Sequence, residues 1–243
     1  IAPKDKIGRI SGYGWSFGYI GGLFALIICY ILFMNPENPV NPITGVELNL
    51  QQGENYRIIN IFIAIWFAIF SLPTFLFVKD TKKTQKISLD IIKKSYLKIS
   101  STFKNIKHYK ETVKFLLARL IYNDAVITIF FFGGLYAHNE FGFEDTKLLL
   151  FGIVLNVAAG IGAFLFGFID DYIGGKNTIQ LTNVGFIIAC ILAALAPSLD
   201  NNFINGESVF WFAGILIGIC AGPNQAASRS LMGRLIPKNK ENE

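Results

Sequence analysis

Charge is scarce in this sequence. Of its 243 residues only 16% are Asp, Glu, Lys or Arg, against about 25% in an ordinary soluble domain, while 52% are hydrophobic and the mean hydropathy is +0.46. That composition excludes a disordered chain, and glycine without a three-residue period excludes collagen. Cysteine is equally thin. Cys29, Cys190 and Cys220 all fall in apolar runs with no CxxC spacing, so they read as inert thiols and no disulfide scaffold is expected. The two histidines, His108 and His138, sit in loops without a second ligand nearby, and no metal site is expected. HExxH, GxSxG and P-loop patterns are missing as well. We therefore expect no enzyme activity, no catalytic residues and no cofactor.

What the sequence does contain is long uncharged runs. No charge lies between Leu23 and Phe33, Ile58 and Val78, or Thr178 and Ala196, and apolar stretches of about 18 residues or more read as membrane-spanning helices. Six spans follow: Ser11–Met34, Ile58–Val78, Val113–Ala137, Thr146–Ile169, Thr178–Ala196 and Ser208–Leu231, here A to F. The expected fold is all-α, a polytopic membrane helical bundle. The sequence opens on Ile1 and stops in a charged stretch at Glu243, which reads as an internal piece of a longer membrane protein. No signal-peptide pattern is seen, the first apolar run being about twice an h-region in length.

The connections alternate in charge. Lys4, Lys6 and Arg9 precede A; ten lysines and three acids lie between Lys79 and Thr112; Arg229, Arg234, Lys238 and Lys240 close the chain. The A–B, C–D and E–F loops are acidic, with Glu37, Glu47 and Glu54, then Glu140, Glu144 and Asp145, then Asp200 and Glu207. The positive-inside rule puts the start, the B–C loop and the end in the cytoplasm. The net charge of +5 is thus a topology signal, and no nucleic-acid partner is expected. Within the B–C loop, Ile92, Tyr96, Ile99, Phe103 and Ile106 recur at helical spacing among lysines. That pattern describes a basic amphipathic helix for an anionic inner leaflet; a solvated linker is the plainer alternative.

Small residues form rows. Gly14, Gly18 and Gly22 mark one face of A, and Gly214, Gly218 and Gly222 one face of F. Span D carries Gly152, Asn156 and Gly160, with a second row of Ala159, Ala163 and Gly167. Spacing by four keeps each row on one face, where helix backbones can approach closely. Span B, with Phe62, Trp66, Phe67, Phe70, Phe75 and Phe77, reads as lipid-facing.

Polar groups gather in C and F. Span C contains Arg119, Tyr122, Asn123, Asp124 and Thr128. Asp124 is about midway along its helix, where an unpaired charge costs at least ~2.5–3.5 kcal/mol, so it should face protein or a water-filled cavity. Arg119 is about 140° away around the helix and is an imperfect direct partner. In F, Pro223 removes a backbone donor beside Asn224 and Gln225. The candidate substrate or proton pathway is therefore Arg119, Tyr122, Asn123, Asp124, Thr128, Asn156, Asn224 and Gln225. Packing without transport is the alternative for each. Between D and E, Asp170-Asp171-Tyr172-Ile173-Gly174-Gly175-Lys176 forms a tight turn in which a carboxylate can cap a helix.

That turn resembles the loop motif of major facilitator superfamily transporters, G-x3-D-[RK]-x-G-[RK]-[RK], matched by Gly167, Asp171, Gly174 and Lys176, with Tyr172 and Gly175 where basic residues are usual. Phe115-Leu-Leu-Ala-Arg119-Leu-Ile-Tyr122-Asn123-Asp124 with Thr128 is similar to the seventh helix of the vacuole-effluxer-like branch, Ala125 replacing a frequent glycine. Gly222-x-x-Gln225-Ala-x-Ser228-Arg229-Ser230 with Pro237 resembles its tenth. The resemblance implies a partial major facilitator fold in which A to F are helices five to ten of twelve. Residues 1–78 would end the first half, 79–112 would be the central cytoplasmic loop, and 113–243 would begin the second half. It also implies that the seventh and tenth helices line a cavity, the fifth and eighth pack across the halves, and the sixth faces lipid. The turn motif would serve as a gating loop. The implied function is secondary transport of a small polar solute by alternating access, with an amino acid as leading substrate and protons as a candidate coupling ion. A six-helix structural or channel-forming subunit is the alternative. The expected location is a prokaryotic inner membrane, or a vacuolar membrane in a eukaryote.

Overall fold

The computed structural model describes residues 5–34, 52–78, 93–97, 109–199 and 205–236, with 3, 40, 45, 47–49 and 100 besides. Six long helices carry the apolar runs: α1 (Ile7–Cys29, continued by a π-helical turn Tyr30–Met34), α2 (Glu54–Phe77), α3 (Lys110–Phe141), α4 (Asp145–Ile173), α5 (Gly175–Leu195, continued by a 3₁₀ turn Ala196–Leu199) and α6 (Gly206–Leu235). Each is long and apolar enough to cross a membrane. The helices outrun several of the expected spans because α3, α4 and α6 continue past their apolar stretches through polar residues at the water interface. Gly142, at φ 63, closes α3 in the left-handed region. A single residue, Gly174 at φ 85, separates α4 from α5.

Helix α4 is the centre of the bundle, and its backbone explains why the neighbouring glycines are there. Leu155 O, Ala159 O and Ala163 O, four residues apart, form a ridge of carbonyls along it. A Cβ on Gly218 would stand 2.7 Å from Leu155 O, and one on Gly222 would overlap Ala159 O. On the α1 side, a Cβ on Gly12 would stand 2.6 Å from Ala163 O. The α6 backbone therefore lies directly on α4, and so does the first half of α1. At such range Cα–H groups meet carbonyls, a contact that hydrocarbon does not weaken. Pro223 leaves the carbonyl of Ile219 without its helical donor, and that oxygen is turned onto Gly162, where a Cβ would collide with it. Hydroxyls add to the seams: Ser11 donates to Ala226 O at 2.8 Å and Ser16 to Gly160 O at 3.1 Å.

The expected row on α1 needs correction. Gly14 and Gly18 meet no atom of the described residues, and Gly22 meets only Asn156 Oδ1, at an ordinary 3.6 Å from its Cβ position. The glycines that let α1 approach α4 are Gly8 and Gly12, on a different face. Gly160 packs against Tyr19, Gly214 against the Phe151 ring, and Gly152 faces open space.

Aromatic residues join the α3–α4 turn to the start of α6. Phe143, fully buried, packs among Phe141, Phe151, Phe210 and Trp211. Lys147 pairs with Glu207 at 2.7 Å and lies over the Phe143 ring. Helix α2 is different: Asn55 alone is buried, and Phe67, Phe75 and Phe77 are largely exposed. An apolar face of that size suits contact with lipid or with another helix. Of the amphipathic pattern in the B–C loop, only Tyr96 is described, exposed in a short helical piece at 93–97. Ile92, Ile99, Phe103 and Ile106 lie outside the described residues, as does Pro237.

Candidate functional site

Two groups of polar side chains stand out, one at the inner ends of the helices and one deeper. The inner group is built on the α4–α5 turn. Helix α1 has no side-chain cap of its own at Lys6, so its first N–H groups need acceptors. Asp171 supplies them from across the bundle: Gly8 N–H donates to Oδ1 at 2.8 Å and Arg9 N–H to Oδ2 at 3.2 Å. The Arg9 side chain donates to the same Oδ2 at 2.8 Å. The contact has N-cap geometry, yet acceptor and donors are more than 160 residues apart in the chain. The sequence left open which helix the turn's carboxylate would cap; the structure gives α1 rather than the adjacent α5.

Asp170 is the more deeply buried of the pair, with its side chain 2% exposed. It accepts from Arg234 at 2.8 Å and from Ser230 Oγ, while a second Arg234 nitrogen reaches Asp171 at 3.2 Å. Two carboxylates and two guanidiniums thus balance in one cluster, which is what permits charges to be buried there. Gly167 lets the start of α1 approach, its Cβ position being 3.2 Å from the Arg9 Cα. Gly174 makes the reversal possible. Lys176 and Tyr172 are exposed and take no part. Arg9, Arg234, Asp170 and Ser230 were not singled out from sequence. The signal was a pair of acids in the D–E turn, with Arg9 at the start of A and two arginines, Arg229 and Arg234, at the end of F.

The deeper group joins α3 to α6. Arg119 donates to Gln225 Oε1 at 3.1 Å, and Gln225 Nε2 donates to Asn123 Oδ1 at 3.1 Å. One turn inward, the Tyr122 and Ser228 hydroxyls are 2.7 Å apart. Arg119, Tyr122 and Asn123 share a face at spacings of three and four, so α3 meets α6 through polar groups. Beside this chain is a cavity of about 610 Å³ between α1, α3 and α6, lined by Ser11, Trp15, Arg119, Gln225 and Arg229 among others.

The remaining candidates separate. Asn224 is turned 100° from Gln225 and is fully buried against α5, donating to Thr182 Oγ1 at 3.0 Å and Asn183 Oδ1 at 2.9 Å. It belongs to α5–α6 packing and not to the α3–α6 chain. Asn156 lines a cavity of about 290 Å³ between α1 and α4 with Ser16 and Tyr19, and its Oδ1 is buried without a partner. Asp124 is exposed on the face of α3 turned away from α6. Its carboxylate has no partner among the described residues, and Arg119 is engaged by Gln225. Thr128 bonds only to the backbone, at Asp124 O.

A polar chain beside an open-sided cavity, in a bundle of helices long enough to cross lipid, suits a multi-pass membrane protein. The family model described as "Vacuole effluxer Atg22 like" matches residues 3–243, and the chain belongs to that family. It is 27% identical to the uncharacterized MFS-type transporter YxiO of Bacillus subtilis (strain 168) over 247 residues, all of this chain and 53% of that protein. Autophagy-related protein 22-1 of Aspergillus fumigatus is 24% identical over 256 residues, covering 96% of this chain and 39% of the relative. Autophagy-related protein 22 of Vanderwaltozyma polyspora is 27% identical over 258 residues, with 96% and 46% covered. The chain therefore spans about half or less of the length of the curated relatives it matches. No solved structure matches it. YxiO is described as a transporter and the family as effluxer-like, and kinship with bacterial and fungal proteins alike fits a multi-pass membrane protein.

Proposed function

We propose that the chain is part of a secondary carrier that moves a small polar solute by alternating access, with an amino acid as the leading substrate. The observation that carries this reading is the Arg119–Gln225–Asn123 chain, which leaves charge and amide groups at depth beside a cavity. Groups that costly in a bilayer are kept where they serve a solute or ion path. On this reading residues 1–78 end one helical half, 79–112 link the halves and 113–243 begin the other. The Asp171 cap on α1 then joins the two halves at the cytoplasmic side and must release for that side to open. Asp124, the one carboxylate near the middle of a span among the described residues, is the candidate proton or amine site on this reading, reached from the exposed face of α3 and not from the α1–α3–α6 cavity.

Uptake of labelled neutral amino acids into liposomes holding the whole protein, with and without a pH gradient, tests the proposal. Saturable uptake of at least one supports it. No uptake of any removes the amino-acid assignment.

A further inference from the structure

The cavity between α1, α3 and α6 has a one-sided chemistry. Arg119 and Arg229 both line it, and none of its lining residues is acidic. Gln225 engages Arg119 only as a neutral acceptor, so no charge is cancelled. Arg229 is one helical turn beyond Gln225 on α6, which puts both guanidiniums on the same side of the cavity. It has no ion-pair partner among the described residues. A third donor points the same way: Trp15 lines the cavity, and its Nε1–H is buried with no acceptor. Ser11 spends its proton on Ala226 O, and the rest of the wall is largely aliphatic or aromatic. Two guanidiniums and a buried, unpaired N–H thus border the cavity, and among the described residues no anion stands between them.

We propose that this cavity is a subsite for a carboxylate, bound between Arg119 and Arg229 with Trp15 as an additional donor. The inference rests on the carrier reading and narrows it: the solute must be an anion or a zwitterion. A guanidinium fork matches a carboxylate in two parallel hydrogen bonds, and the apolar wall from Ile7, Ile10 and Phe115 leaves room for a hydrocarbon portion. The same chemistry recognises a phospholipid phosphate, so the test has to separate a dissolved anion from a headgroup.

Thermal unfolding of the purified whole protein in detergent reads binding without requiring transport. Acetate and L-leucine are compared with acetamide and L-leucinamide, which keep the shape and lose the carboxylate. Phosphatidylglycerol is compared with phosphatidylcholine in a parallel arm. The carboxylates should raise Tm in a saturable way and the amides should not. Arg119→Gln and Arg229→Gln should each weaken carboxylate binding on the order of tenfold to a hundredfold, the worth of one charge-assisted hydrogen bond. Arg119→Lys and Arg229→Lys, which keep the charge, should lose less and control for misfolding. Equal stabilisation by acetamide and acetate, no carboxylate shift at all, or wild-type affinity in both glutamine variants would overturn the proposal. Stabilisation by phosphatidylglycerol alone would overturn it in favour of a headgroup site. Leucine uptake that leucinamide inhibits as well as leucine does would remove this subsite and leave the carrier reading standing. Carboxylate binding without transport would do the reverse.

Discussion

On the carrier reading Asp171→Ala removes the contact that holds the cytoplasmic side closed, and the size of its effect can be worked out from the geometry. The variant takes away the acceptor for Gly8 and Arg9 N–H at the start of α1, an N-cap worth about 1 kcal/mol. It also breaks the Arg9 pair, whose arginine is 37% exposed and whose attraction is screened by solvent. The 3.2 Å contact to Arg234 adds about 0.5 kcal/mol. Asp170, Ser230 and Arg234 remain bonded to one another within α4 and α6, so the second segment keeps its packing. The cap and the Arg234 contact together, roughly 1.5 kcal/mol, therefore fall on the packing of α1 against α4 and α6, a shift of at least about tenfold toward the open side. Ser11, buried just beyond the clamp, is the reporter. In a cysteine-free whole protein carrying Ser11→Cys, a membrane-impermeant maleimide applied from the cytoplasmic side should label the Asp171→Ala variant at least tenfold faster. Equal labelling rates in folded, equally inserted proteins would refute the idea that this carboxylate holds α1 in place.

Other outcomes follow from the same contacts. Asp124→Asn should abolish gradient-driven uptake while the protein inserts and purifies normally; normal uptake would end its assignment as a proton or amine site. Gln225→Ala breaks both links of the chain between Arg119 and Asn123, and should reduce uptake less than Asp124→Asn does, with a small fall in Tm. Gly222→Val forces a side chain into the Ala159 carbonyl, and overpacking of that kind costs about 1–3 kcal/mol; a Tm equal to wild type would show that α4 and α6 are not in backbone contact. Asn224→Ala deletes two buried hydrogen bonds to α5 and should lower Tm while leaving the affinity for any transported solute unchanged.

The helices were legible because hydrocarbon demands long uncharged runs, and those runs survive any uncertainty about packing. Their expected orientation rests on lysine counts in the connections alone. The face each helix uses was harder to read. Gly14, Gly18 and Gly22 form a regular row, but four-residue spacing shows only that a row shares a face, not that another helix lies on it. The face in use on α1 carries Gly8, Gly12 and Ser16, an equally regular four-residue row that a search for glycine alone passes over. Asn224 and Gln225 look alike in sequence, yet adjacent helical residues diverge by about 100° and the two amides serve different neighbours. Asp171 was marked by its motif, whereas Asp170 was not, because burial and a partner some sixty residues away leave no local trace. Arg229 looked like an ordinary interfacial arginine until the cavity placed it on the same side as Arg119.

The central claim is that the whole protein is a carrier that exposes one site alternately to the two sides of the membrane, and counterflow tests it most directly. Liposomes holding the whole protein are loaded with unlabelled leucine and diluted into a trace of labelled leucine. A carrier returns with the external label each time it exports from inside, so the label should rise transiently above its equilibrium level and then decay. Monotonic equilibration with no overshoot, at rates that do not saturate, would contradict the account and indicate a pore.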